Sequence, residues 1–141
     1  MAAALAAGAD AVRVGTRFAA AAETDAHPEY VAALVGARPE DTVLTDRFSV
    51  MWPGAPHRVL QSAVTAAEAH AGETVGMLEI AGMQQPLPRF AVPCRTRATT
   101  GAIGAMALYA GESVGAVRGI VPAADIVREL VDGAEALRRR W

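Results

Sequence analysis

Val14-Gly15-Thr16-Arg17 is the first stretch of this chain whose residue types suit chemistry. At the end of a strand, such a segment turns successive backbone N–H groups and one hydroxyl toward an anion. Gly15 lets the backbone approach closely because it has no Cβ. The same four residues also suit a plain tight turn after a strand.

The other reactive side chains are scattered. His27, His57 and His70 show no second His, Cys or carboxylate at the i, i+4 spacing of a metal site on a common helix, so each reads as a surface or capping residue. Cys94 lies between Pro93 and Arg95, and an adjacent cation can lower a thiol pKa, yet one Arg neighbour does not make a nucleophile. The aromatic residues, Trp141 among them, form no stripe for base stacking. Tyr109, just before Gly111, combines a ring and a hydroxyl suited to a cofactor pocket, and equally suited to core packing.

The chain that must position these residues has 141 of them, the size of one domain and short of a (β/α)₈ barrel at about 250. It is 52% hydrophobic and 20% charged, which excludes a disordered tail. A net charge of −2 lacks the basic excess of a nucleic-acid-binding protein. All 13 basic residues are Arg, which reflects coding bias and carries no chemistry. One cysteine forms no internal disulfide, and Asp10 and Arg13 interrupt the apolar start too early for a signal peptide. No apolar run is long enough to span a bilayer, so the expectation is a cytoplasmic protein with neither membrane nor nucleic acid as partner.

The pattern predicts a helix over 2–7 stopped by Gly8, and a strand at Ala11-Val12-Arg13-Val14. A helix over 27–37 capped by Asp25 follows, then a strand over 42–45 and a helix over 57–71 after the rigid Trp52-Pro53-Gly54-Ala55-Pro56. Residues 73–100 read as irregular because of Pro86, Pro88 and Pro93. Helices over 101–110 and after Pro122 complete the chain, the last with Ile126, Val127, Leu130, Val131, Ala134 and Leu137 as its apolar stripe. Only the strand at 11–14 is convincing, and a lone strand forms no sheet. Met1 has no cap or polar lead-in, so the chain is expected to open in mid-element, with sheet partners on other sequence.

Taken in order, Gly8 to Phe18, Glu23, Ala26-His27-Pro28-Glu29-Tyr30 and Asp41 to Thr45 resemble the nitronate monooxygenase family. The stretches Trp52 to Leu60, Ala107-Leu108-Tyr109-Ala110-Gly111 and Pro122 to Leu130 extend that resemblance over nearly the whole chain. Family members are FMN-binding (β/α)₈ barrels, and in such enzymes the loops after strands 7 and 8 commonly hold a phosphate.

The resemblance implies an α/β fold class: residues 1–141 as the C-terminal portion of a TIM barrel, last strand plus following helices, mostly helical as an isolated chain. It makes 11–14 strand 8 and Val14, Gly15 and Thr16 the grip on the FMN phosphate. Arg13 stands where many relatives have Gln, Tyr109 falls in the region that approaches the flavin, and Glu112 replaces a usual Gln. The family's catalytic histidine belongs to the missing N-terminal barrel portion, so none of the three histidines here inherits its role.

The activity implied is oxidation of a small nitronate by O₂ to a carbonyl compound and nitrite, with the isolated chain inactive. A flavin-dependent enoyl reductase relative is the alternative within the fold, and a non-catalytic remnant or helical binding module the alternative outside it.

Overall fold

A computed structural model describes residues 1–140; Trp141, grouped above with the aromatic residues, lies outside them. The chain runs α1 (Ala2–Ala6), α2 (Thr16–Ala19), α3 (Pro28–Val35), β1 (Thr42–Thr45), β2 (His57–Leu60), α4 (Gln61–Ala69), β3 (Thr74–Ile80), β4 (Met83–Pro88), β5 (Thr100–Gly101) and α5 (Ala123–Arg138). Short 3₁₀ turns occupy Pro39–Asp41, Ile103–Ala105 and Glu112–Ala116. The result is a mixed α/β fold with no closed barrel, and the expectation of a mostly helical chain is corrected.

Residues 11–14 form no strand among the described residues. A strand exists through its ladder, and no other segment pairs with this one, so an apolar β-branched sequence alone does not make it regular. The strand expected over 42–45 forms as β1, whereas the other strands lie where proline and helix patterning hid them. β1 and β2 pair antiparallel, Thr42 opposite Leu60 and Thr45 opposite His57, so the expected helix over 57–71 begins only at Gln61.

Within 73–100, expected to be irregular, β3 and β4 make a hairpin with β5 on the far side of β3. Pro86 and Pro88 fit because β4 is an edge strand, where a missing N–H costs little. Ala81 (φ 50°) and Gly82 (φ 77°) supply the two positive-φ residues of a tight hairpin turn. At the β3–β5 crossing a Cβ on Gly76 would run into the Thr100 carbonyl, so glycine lets the two strands meet.

The region 101–110 is also not the expected helix. After one 3₁₀ turn it runs extended beside β2: the Leu60 N–H donates to the Leu108 carbonyl (2.8 Å) and the Ala110 N–H to that of Arg58 (3.1 Å). This buries Met106, Ala107 and Leu108 against Leu34, Phe48, Val59 and Ala63 in one core. Helix α3 is capped by His27 instead of Asp25, the His27 Nδ1 accepting from the Glu29 N–H at 3.2 Å.

The two terminal helices behave as their sequences predict. Gly8, at φ 94°, takes the left-handed turn after α1. Helix α5 starts after Pro122, and the Glu23 carboxylate accepts from the Ala123 N–H at 2.9 and 3.1 Å. Of its stripe only Ile126 is fully buried; Val127, Val131 and Leu137 stay exposed. Among the described residues no helix is long and apolar enough to cross a membrane.

Candidate functional site

The residues singled out in sequence fall in two places. Arg13, Val14, Gly15 and Thr16 line one cavity of about 550 Å³, closed by Arg17, Gly111, Ser113 and the Glu129–Leu130 face of α5. Tyr109 lines another, of about 400 Å³, with Met51, Trp52, His57, Val92, Pro93 and Cys94. Tyr109 thus lines a different cavity from residues 13–16. Tyr109 follows β2 through the Val59 bridge, which turns its ring to the side of the 46–56 loop.

In the first cavity the backbone is prepared for an acceptor. The Gly15 carbonyl accepts from Phe18 (2.9 Å) and Ala19 (3.1 Å), starting α2. The N–H groups of Val14, Gly15, Thr16 and Arg17 donate to nothing among the described residues; the last three are the open donors at the start of α2. A Cβ built on Gly15 would meet nothing within 4 Å, so this part of the backbone faces open space.

Thr16 Oγ1 accepts from the Gly111 N–H at 2.9 Å. With one lone pair so occupied, its O–H is the group left for a ligand. Arg13 is exposed at the cavity edge. Arg17, part of the same stretch, has a role that the sequence did not announce: its guanidinium reaches the Gly119 carbonyl at 3.2 Å and Glu129 Oε2 at 3.5 Å, holding α5 over the segment.

The second cavity is ring-lined. His57 packs edge-on against Trp52 (6.0 Å between centroids) and Tyr109 (5.5 Å). The polar tips of Tyr109 and His57 are tied down, the Tyr109 hydroxyl donating to the Val92 carbonyl at 2.7 Å and His57 Nε2 facing the Phe48 carbonyl at 3.0 Å.

Behind the Tyr109 ring lies Arg95, its guanidinium carbon 5.7 Å from the ring centroid. Burial pushes the Arg95 pKa down to about 10 and raises that of Tyr109, the latter opposed in part by the Arg95 charge. Tyr30 donates to the Tyr109 carbonyl at 2.6 Å, and burial lifts its phenol to about 12. Nothing in the sequence marks this cluster, because its members are 14 to 79 residues apart and meet only through the fold.

Cys94 is an exposed free thiol on the rim, and Glu112 pairs with Arg58 at 2.8 Å. No group of three or more His, Cys, Asp or Glu among the described residues is placed to hold a metal ion.

Both cavities sit on a chain whose family is shown by comparison. The nitronate monooxygenase family model matches residues 1–133, and the chain belongs to that family of flavin-dependent, TIM-barrel oxidoreductases. Among solved structures it is similar to a single-site mutant of FabK from Thermotoga maritima, with 27% identity and a TM-score of 0.56 over 100% of this chain and 40% of that one. FabK itself from the same organism gives 26% identity and a TM-score of 0.58, with 43% of its chain covered. This chain thus spans about two fifths of the length of those relatives. No curated protein matches it.

Proposed function

We propose that this chain contributes the phosphate grip and one cavity wall to an FMN-dependent oxidoreductase of the nitronate-oxidising type. The observation that carries the reading is the free donor set at Val14, Gly15 and Thr16, on backbone that faces open space. Free N–H groups and a hydroxyl are the donors that a phosphate needs, and Arg13 at the edge adds positive charge. Tyr109 offers a ring surface with its hydroxyl already committed, so it packs and excludes water without exchanging protons.

When bound, FMN supplies the electron-accepting chemistry by which a nitronate and O₂ become a carbonyl compound and nitrite. The base and the remaining strands come from the N-terminal barrel portion, which is the partner in this reading, in the cytoplasm. The test is nitrite release from a nitronate. The complete barrel is expected to release nitrite, and the 141-residue chain with added FMN to release none. Release by the pure chain would overturn the division of roles.

A second reading has its own support. The likeness to FabK, an enoyl reductase of the same family, favours reduction of an enoyl substrate at the same flavin. Flavin reoxidation by an enoyl thioester without nitrite release would select it.

A further inference from the structure

Arg95 has no use in the phosphate grip, yet it is 2% exposed. Its Nη1 donates to the Ala107 carbonyl, while the buried Nε and Nη2 have no partner. It pairs with no carboxylate among the described residues. Its close neighbours Tyr30 and Tyr109 are phenols whose burial keeps them neutral well above pH 7. A guanidinium stays charged there. Among the described residues this buried cation has no anion opposite it, which is costly unless something negative arrives.

That cation stands directly behind the Tyr109 wall of the ring-lined cavity, whose remaining surface is the rings of Trp52 and His57 with Met51, Val92 and Pro93. Rings and aliphatic side chains accept a flat organic skeleton, and low-dielectric walls let the charge behind them act on whatever enters.

We propose that Arg95 is a specificity-determining residue, its buried charge making this cavity a site for a small, flat organic anion in preference to the neutral form of the same skeleton. The inference rests on the nitronate reading and on Tyr109 as a wall of the reacting region, and goes beyond them by assigning the residue that selects the anion.

The probes are ethylnitronate and nitroethane, anion and neutral form of one skeleton, titrated into the full chain and followed by NMR shifts of Tyr109 and His57. The native chain is expected to bind the anion about tenfold more tightly, the scale of one unit charge acting through a low-dielectric wall. Arg95→Met should abolish that preference, and Arg95→Lys should restore it. Because Met removes an unpartnered buried charge, its thermal midpoint should equal or exceed the native one.

Arg95→Gln keeps a donor toward Ala107 without the charge, and should lose the preference as Met does; it decides the matter if Met does not fold. Three results would overturn the proposal: no preference in the native chain, preference kept in Met or Gln, or loss of both ligands in a Gln variant with a collapsed midpoint. FMN binding at Gly15, measured in parallel on the complete barrel, fails or holds independently of these outcomes.

Discussion

Thr16 Oγ1 and the Gly111 N–H are joined by a 2.9 Å hydrogen bond across 95 residues of sequence. It fixes the phosphate-type segment to the extended stretch that also carries Tyr109, so the two cavities share one frame although neither opens on the other's residues. A Cβ on Gly111 would stand 3.3 Å from the Thr16 hydroxyl oxygen, which keeps this approach tight.

Thr16→Val should therefore remove both the tie and the outward donor. A hydrogen bond to a charged group contributes about 1.5–3 kcal/mol, so FMN affinity of the complete barrel should fall roughly 10- to 100-fold. Riboflavin, which lacks the phosphate, should bind as before, and Thr16→Ser should retain FMN. Fluorescence titration with both flavins checks this; an equal loss for each would place Thr16 away from the phosphate.

Gly15→Asp separates folding from binding. Gly15 has φ −106°, open to any residue, and a Cβ there meets nothing within 4 Å. The variant should fold with a near-native melting midpoint while losing bound FMN, because a carboxylate then faces the phosphate. Flavin content of the purified complete barrel is the measurement, and an unchanged ratio of flavin to protein would sink the phosphate assignment.

Tyr30 ties α3 to the Tyr109 carbonyl and predicts a pH dependence of stability. Burial raises its pKa from 10.0 in the unfolded chain to about 12 in the fold. Between those values the unfolded state has released the proton and the folded state has kept it. The contribution is thus full below pH 10 and lost as pH climbs through 12, a loss of roughly 3 kcal/mol at 1.36 kcal/mol per unit.

Arg95, shifted downward, acts in the opposite sense over the same range, so the informative quantity is a difference. Tyr30→Phe should cost about 1 kcal/mol at pH 8 and flatten the decline above pH 10. Urea melts at pH 8 and 11.5 on both proteins measure it, and parallel curves would contradict the assignment.

How much of this was legible beforehand follows from what each feature rests on. Helix α5 and the turn at Gly8 depend on neighbours in sequence, and both stand where the pattern puts them. The hairpin of β3 and β4 was hidden because its turn is Ala81-Gly82, without the usual Asn or Asp, and because two prolines occupy its outer strand. The strand expected at 11–14 failed for the complementary reason: its residues suit a sheet, but the described residues offer it no partner. At the site, the Gly15-Thr16 segment was readable as residue chemistry, whereas Arg95 behind Tyr109 exists only through a long-range contact that no spacing announces.

The same unpartnered surface leads to a prediction about solution behaviour. On α5, Val127, Val131 and Leu137 are 50%, 41% and 42% exposed, and Leu5 of α1 is 41% exposed beside them. Met1, Leu5 and Val131 line a largely apolar cavity of about 450 Å³ between the two helices. A face of this kind tends to be covered, by the remaining barrel in the reading above or by another copy when that is absent. The 141-residue chain alone should therefore associate at micromolar concentration. Val127→Glu with Val131→Glu places charge on the exposed stripe without touching buried Ile126, and should return the chain to a monomer with an unchanged melting midpoint. Sedimentation velocity over a concentration series distinguishes the cases: a native chain that stays monomeric and unfolds in one cooperative step would instead be a self-sufficient small domain.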